Sequence, residues 1–138
     1  MTTATTRRRL LAWLGLAPVA AAGGAGAVRA EARTPRAPVR VLFTRVNGER
    51  YYDMADALPA LTEGAPVLLR REPDNPYDRR AIEVWDGSGR KLGYVQRIDN
   101  SAVARMMDAG EHFAARVARI DPAALDVRLE VDWLPGHG

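Results

Sequence analysis

The chain has 138 residues, no cysteine, and 20 basic against 17 acidic residues, which gives a formal net charge of +3. The lack of cysteine excludes a disulfide framework, and the two histidines, His112 and His137, have no partners at metal-ligand spacing, so the sequence supports no metal site. Since it also contains no phosphate-binding glycine loop and no nucleophile–base pair at motif spacing, we predict a protein without enzymatic activity or cofactor.

Residues 1–32 have the order of a secretory signal peptide: positive charge, an apolar run over residues 10–22, then small residues. Arg7 and Arg8 precede a pair of leucines, which resembles a twin-arginine export signal. The apolar run is too short and too interrupted to span a bilayer well. We therefore expect cleavage after Ala30 or Ala32 and an exported, periplasmic protein with no stable membrane span. The alternative is an uncleaved tail or a misassigned start codon, which would leave the protein in the cytoplasm.

Loss of this leader changes the charge of the protein. Four of the 20 basic residues and one of the 17 acidic residues precede Arg33, so 16 of each remain in residues 33–138. A neutral domain attracts a polyanion only through a local basic patch. We expect a flexible linker over residues 33–38, one domain over residues 39–134 and a disordered tail over residues 135–138.

The first third of this domain predicts a strand with a hairpin turn and a return strand, then a short helix and a further strand. Residues 39–46 alternate apolar and polar side chains, and Asn47-Gly48 is a strong hairpin signal, with Tyr51 and Tyr52 beginning the return strand. Residues 53–61 can hold a short helix, and the apolar run over residues 66–71 predicts a buried strand.

The loop over residues 72–78 is the most unusual segment of the chain. Pro73 and Pro76 fix φ and push each preceding residue towards an extended conformation, so this segment cannot be a helix. It therefore holds Asn75, Tyr77 and Asp78 on a stiff turn, and binding residues tend to lie on such loops.

The remaining elements predict a mainly β fold. Residues 81–85 and 90–95 alternate around a Gly-rich turn and form a hairpin, in which Gly93 is typical of a bulge. A helix follows, which we expect Asp99 or Asn100 to cap at its start and Gly110 to end. Residues 112–120 and 127–133 alternate as two further strands. About six short antiparallel strands with an inserted helix indicate a small, partly open barrel.

Three segments together resemble the HIRAN domain, including its stand-alone bacterial members: DNPYDRRAIEV, GSGRKLGYVQR and NSAVARMMDAG. The resemblance covers roughly residues 39–120 and implies a modified SH3/OB-like barrel. It also implies a nucleic-acid-binding module, because characterised members of the family bind single-stranded DNA at a free 3′ end. Any helicase or ATPase activity would belong to domains outside this sequence.

The resemblance implies roles for particular residues. An arginine–tyrosine pair on an early strand corresponds to Arg50-Tyr51, with Tyr52 as the alternative stacking ring, and Tyr77 supplies a second aromatic wall. Asn75 and Asp78 correspond to residues that recognise the terminal sugar, and a carboxylate there accepts a bond from a 3′-hydroxyl and repels a 3′-phosphate. The full set of expected DNA-binding residues is Arg50, Tyr51, Tyr52, Asn75, Tyr77, Asp78, Tyr94 and Arg97, with candidate phosphate contacts at Arg70, Arg71, Arg79 and Arg80.

Each role has a structural alternative. Tyr51 or Tyr52 would pack at the barrel rim, and Asn75 and Asp78 would satisfy backbone donors of the loop. The arginines around the loop would pair with its carboxylates and leave no free patch. Two functions therefore stay open: recognition of single-stranded DNA, or an exported domain that binds a protein partner or has a structural role. The sequence does not determine the oligomeric state.

Overall fold

Apolar residues at every second position give the last two strands a buried face. In the computed structural model, which describes residues 36–137, these strands are β5 (Phe113–Asp121) and β6 (Asp126–Trp133), and Val127, Leu129 and Val131 are fully buried. The other four strands are β1 (Val39–Asn47), β2 (Pro66–Arg71), β3 (Ile82–Trp85) and β4 (Lys91–Val95). Two helices accompany them, α1 (Met54–Ala57), which continues as a 3₁₀ turn over Leu58–Ala60, and α2 (Asn100–Asp108). The predicted mainly β fold, its six strands and both helices are confirmed.

The barrel is closed rather than partly open, with the order β1-β4-β3-β2-β5-β6 and antiparallel pairing throughout. Two strands close it, because each of them changes partner along its length. Residues 39–45 of β1 pair with β6, and residues 46–47 pair with β4. In the same way β2 pairs first with β5 and then with β3. Closure satisfies the backbone groups that an open edge would expose.

The predicted hairpin at Asn47-Gly48 is wrong. Asn47 pairs with Tyr94 of β4, and Tyr51 donates a backbone hydrogen bond of 2.9 Å to the Gly48 carbonyl in a turn. Tyr51 and Tyr52 therefore lie in this turn and not on a return strand, and Met54 is buried at the start of α1 just beyond it. A long-range partner strand has replaced the local one, since β4 already occupies the edge of β1.

The predicted strand at residues 66–71 exists, but only one of its two faces is buried. Val67 points into the core, but Leu68 is 63% exposed, because the outer side of a closed barrel faces solvent. Gly93, by contrast, confirms the expected bulge. The pairing of β3 with β4 shifts register between Val84, which opposes Gly93, and Trp85.

One core fills the barrel, and the helices contribute to it. Met54 from α1 and Val103 and Ala104 from α2 pack with the strand residues Ile82 and Leu92. Burying one such large side chain stabilises the fold by about 1.5–3 kcal/mol. The helices are therefore fixed against the barrel, and the loops that flank them are held in defined positions.

The start of α2 differs in one detail from the predicted capping. Asp99 occupies the position before the helix, but its carboxylate makes no bond to the helix backbone. It accepts instead a hydrogen bond of 2.8 Å from the hydroxyl of Thr44, a residue of β1 that is almost completely buried. The first backbone N–H groups of α2 are thus without a side-chain cap.

The predicted leader, with Arg7, Arg8, Ala30 and Ala32, lies outside the described residues. The limits of the linker and the tail stay predictions, since residues 33–35 and Gly138 also lie outside. Neither helix within residues 36–137 is long and apolar enough to cross a membrane.

Candidate nucleic-acid interface

Asn75 builds the proline-containing loop. Its side-chain oxygen accepts hydrogen bonds from the backbone N–H of Tyr77 (2.9 Å) and of Asp78 (3.0 Å), which is a typical Asx turn. The loop is closed at its base by a bond of 3.1 Å from the Glu72 N–H to the Ala81 carbonyl. The structural alternative for Asn75 is therefore realised, and its amide orients the two residues that follow Pro76.

Below the loop, a chain of polar side chains links β3 and β4 to it. Lys91 donates to Glu83 (2.8 Å) and to the hydroxyl of Tyr94 (2.7 Å), and that hydroxyl donates to Glu72 (2.6 Å). The Nδ2 group of Asn75 also donates to Glu72 (2.8 Å). Each polar group therefore has a partner, which makes the network rigid.

The titration of this network follows from its contacts. Hydrogen bonds from Asn75 and Tyr94 lower the pKa of Glu72. Burial, together with donation to Glu72, raises the pKa of Tyr94 to about 12. Near neutral pH the phenol is protonated and the carboxylate is ionised, so the bond between them has a fixed donor and acceptor.

Aromatic rings continue the network towards solvent. The rings of Tyr52 and Tyr94 meet edge to face, with centroids 5.5 Å apart, and the Lys91 ammonium lies 4.5 Å and 4.1 Å from the two centroids. Gly48 lies against Tyr52, since a Cβ at this position would come within 3.1 Å of that ring. Tyr52 therefore packs at the barrel rim, which is the structural alternative given for it above, and 37% of the residue is exposed.

An open pocket of about 650 Å³, which we call the rim pocket, lies where the end of β1, the β2–β3 loop and β4 meet. Tyr51 and Tyr77 are 86% and 85% exposed, so neither packs at the rim. Arg50 is exposed but does not line the pocket. Seven of the eight residues expected from the resemblance do line it, namely Tyr51, Tyr52, Asn75, Tyr77, Asp78, Tyr94 and Arg97, together with Asn47, Gly48, Ala81 and Val95.

Asp78 is held by two donors. Its Oδ1 accepts a bond of 2.9 Å from the Arg80 backbone N–H, and its Oδ2 accepts one of 2.7 Å from the side chain of Asn100. Burial opposes the charged form, but these bonds and the nearby charges of Arg97 and Arg80 outweigh it and lower the pKa of Asp78. The pocket therefore presents an ionised carboxylate in a fixed orientation, with acceptor capacity left on both oxygens.

Asn100 was not predicted as a site residue from the sequence. It is 1% exposed, begins α2, and reaches Asp78 across 22 positions of the chain. Its position at a predicted helix start suggested only a cap. Lys91 was missed as well, because its ammonium reaches Glu83 on the neighbouring strand β3 and the ring of Tyr52 in the turn after β1.

The four arginines expected to contact phosphate divide into two pairs. Arg71 is engaged by Asp108 (2.9 Å) and by the carbonyls of Ala81 and Arg79, and Arg70 lies 3.8 Å from Glu83. Arg79 and Arg80 line a second groove of about 440 Å³, which we call the arginine groove. The predicted alternative, pairing with loop carboxylates, does not account for Arg70 and Arg71, whose partners are Glu83 and Asp108. The other residues lining the groove are Pro76, Tyr77, Asp78, Arg97 and Asn100.

Fold and pocket together define a class of protein: a small closed β-barrel with an open pocket at its rim. Within residues 36–137 no group of three or more histidine or acidic residues is placed to hold a metal ion. A family model of the HIRAN domain matches residues 39–133. The chain belongs to the HIRAN domain family, whose domain is a binding domain and whose members bind nucleic acid.

Solved structures agree with this assignment. A crystal structure of a protein from Lactobacillus plantarum is similar with a TM-score of 0.68 and 37% identity, covering 71% of this chain and 96% of that one. The HIRAN domain of human HLTF is similar with a TM-score of 0.59 and 27% identity, covering 70% of this chain and 78% of that one. Both matches are to the barrel fold described above.

Curated relatives are much longer than this chain. The helicase-like transcription factors of Mus musculus and Homo sapiens are 38% and 33% identical to it over 72 residues. The match covers 49% of this chain but only 7% of either relative. The shared part is therefore a small segment of those proteins.

Proposed function

We propose that this protein binds single-stranded DNA at a free 3′-hydroxyl end, in the rim pocket. The observation that carries the proposal is the ionised, immobilised carboxylate of Asp78 beside the exposed rings of Tyr51 and Tyr77. Exposed rings offer stacking surfaces to any base, and each stacked base contributes about 1–3 kcal/mol. A fixed carboxylate accepts a hydrogen bond from a terminal hydroxyl and repels a terminal phosphate.

The contacts of the pocket support end recognition rather than binding along a strand. Asp78 is oriented by Asn100 and the Arg80 N–H, and it lines the pocket with acceptor capacity left on both oxygens. Arg97 lines the same pocket and forms no ion pair within the described residues, which leaves it available to a phosphate. The pocket thus offers an acceptor for the terminal hydroxyl beside a cation for the adjacent phosphodiester. We propose binding without catalysis.

The test uses the full chain and two decathymidylates labelled with fluorescein at the 5′ end, one with a 3′-hydroxyl and one with a 3′-phosphate. We expect tighter binding of the hydroxyl end by fluorescence anisotropy. Asp78→Asn should reduce that preference by about tenfold or more, since a hydrogen bond to a charged group contributes about 1.5–3 kcal/mol. Asn100 can adapt to this variant, because rotation of its amide turns the unpartnered Oδ1 towards the new donor. Equal binding of both ends by the unmodified protein would contradict the proposal.

A second candidate is an exported domain that binds a protein partner. The observation that favours it is the order of charged, apolar and small residues over residues 1–32. Mass spectrometry of the native N-terminus tests export, and a start at Glu31 or Arg33 is the expected result. A mature N-terminus at Met1 would remove the support for this candidate.

A further inference from the structure

The rim pocket and the arginine groove are neighbours that share a wall, because Tyr77, Asp78 and Arg97 line both. Their remaining walls differ in chemistry. The rim pocket adds tyrosine rings, whereas the arginine groove adds Arg79, Arg80 and the start of α2. A ligand that occupies both must therefore combine an aromatic end with an anionic segment that passes Asp78 and Arg97.

The charge of the arginine groove is not neutralised by the protein. Neither Arg79, Arg80 nor Arg97 forms an ion pair within residues 36–137. Arg80 donates to the hydroxyl of Ser101 at 3.0 Å, which fixes its direction without changing its charge. Among the described residues Asp78 is the one carboxylate that lines the groove, so its single negative charge stands against three guanidinium groups.

A second feature of the groove points the same way. The nine-residue helix α2 begins at its wall, and Asp99 is turned towards Thr44 instead of capping the helix backbone. Uncapped N–H groups and the helix dipole favour an anion. This end of the groove therefore offers backbone donors to an anion besides its arginines.

We propose that the arginine groove holds the phosphodiesters that precede the terminal nucleotide, so that the strand reaches the rim pocket over Arg79 and Arg80. This inference rests on the proposed function and adds the path of the strand to it. A phosphodiester carries one negative charge and suits a groove with a surplus of cations. The surplus explains how a domain with equal numbers of acidic and basic residues after Ala32 attracts a polyanion.

The salt dependence of binding tests the path of the strand through the arginine groove separately from recognition of its 3′ end. For single-stranded DNA, log K falls with log salt by about 0.7 for each phosphate neutralised. The double variant Arg79→Ala/Arg80→Ala should make this dependence less steep, reducing the magnitude of the slope by about 1.4. The measurement uses the full chain and the 3′-hydroxyl decathymidylate between about 50 and 200 mM salt. The variant should keep the preference for the hydroxyl over the phosphate end, since Asp78 still receives the backbone N–H of residue 80.

The matched control is Arg105→Ala/Arg119→Ala, which removes two exposed arginines that line neither groove. It should change the slope by much less. Arg79→Lys/Arg80→Lys should restore the slope of the unmodified protein, because lysine keeps the point charge.

The outcomes separate the two proposals. Equal slopes for the two alanine double variants would overturn the path while leaving end recognition intact. A lowered slope in a protein that does not distinguish the two ends would support the path and overturn end recognition. No binding of the decathymidylate at about 50 mM salt would overturn both.

Discussion

Arginines lie both on the outer face of β1, β5 and β6 and at the rim of the barrel. They form ion pairs on the outer face but not at the rim. On the outer face, Arg40 and Arg116 each pair with Glu130 and Asp132, at 2.8–2.9 Å for three of the contacts, and we call these four residues the charge ladder. At the rim, Arg79, Arg80 and Arg97 have no carboxylate partner within the described residues. Paired charges serve the fold, whereas unpaired charges are available to a ligand.

The same contrast holds for carboxylates. Hydrogen bonding by Arg40 lowers the pKa of Asp132, and both oxygens of that residue are occupied by arginines. Asp78 is also ionised, but its donors are one backbone N–H and one amide, which leave its charge uncompensated by an ion pair. The difference predicts that substitutions in the charge ladder change stability alone, while substitutions at the rim change binding.

The largest expected effect is on binding, from the exposed rings. Tyr51→Ala/Tyr77→Ala should weaken binding of the 3′-hydroxyl decathymidylate by at least thirtyfold, since each lost stacking contact costs about 1–3 kcal/mol. The free energy of unfolding in urea should stay within about 0.5 kcal/mol of the unmodified protein, because both side chains are largely exposed.

Its control is Tyr51→Phe/Tyr77→Phe, which keeps both rings and should keep most of the affinity. A loss of stability in the alanine variant would show that the rings belong to the fold, and the contrast between the two regions would then fail.

Asn100→Asp is expected to have an intermediate effect, because it places a second carboxylate against Asp78. We expect a loss of about 1–3 kcal/mol in the free energy of unfolding at pH 7. The repulsion raises the pKa of the pair in the folded state above that of the unfolded state, so the penalty is present at neutral pH and is relieved as pH falls through the raised pKa.

Urea unfolding at a series of pH values between about 4 and 8 measures this effect. Asn100→Ala is the matched control, since it removes the donor to Asp78 without adding a charge. If the difference between the two variants does not depend on pH, the carboxylate introduced at position 100 does not interact with Asp78, and the contact between residues 78 and 100 is contradicted.

The smallest effect is expected in the charge ladder. Asp132→Asn should cost no more than about 1 kcal/mol, because the side chains of its two arginine partners are 42% exposed and solvent screens these ion pairs. The lowered pKa of Asp132 means that its contribution is present above the unfolded pKa, near 3.9, and is lost as pH falls through the folded value. The difference from the unmodified protein should therefore shrink in acid.

Binding of the decathymidylate should not change in Asp132→Asn. A loss of affinity would place the ligand partly on the outer face of β1, β5 and β6 and would remove the distinction between the two regions.

Local patterns of the sequence predicted most of the fold. Alternation predicted β5, β6 and the β3–β4 hairpin, and the glycine after residue 109 correctly ended α2. These patterns depend only on residues that are close in the sequence, so they can be recognised without knowing the partner strands. The hairpin at Asn47-Gly48 failed because its signal was equally local, while the true partner of Asn47 is Tyr94.

The loop over residues 72–78 shows the same division at the site. Its two prolines and its Asx turn are local, so the sequence by itself determined a stiff turn that presents Tyr77 and Asp78, and it also determined the family. Only the tertiary structure decided what stands behind that turn. Register puts Tyr94 opposite both Asn47 and Glu83, and the packing of α2 brings Asn100 to Asp78. These contacts join residues that are far apart in the chain, and strand pairing and helix docking, which depend on the whole core, bring them together.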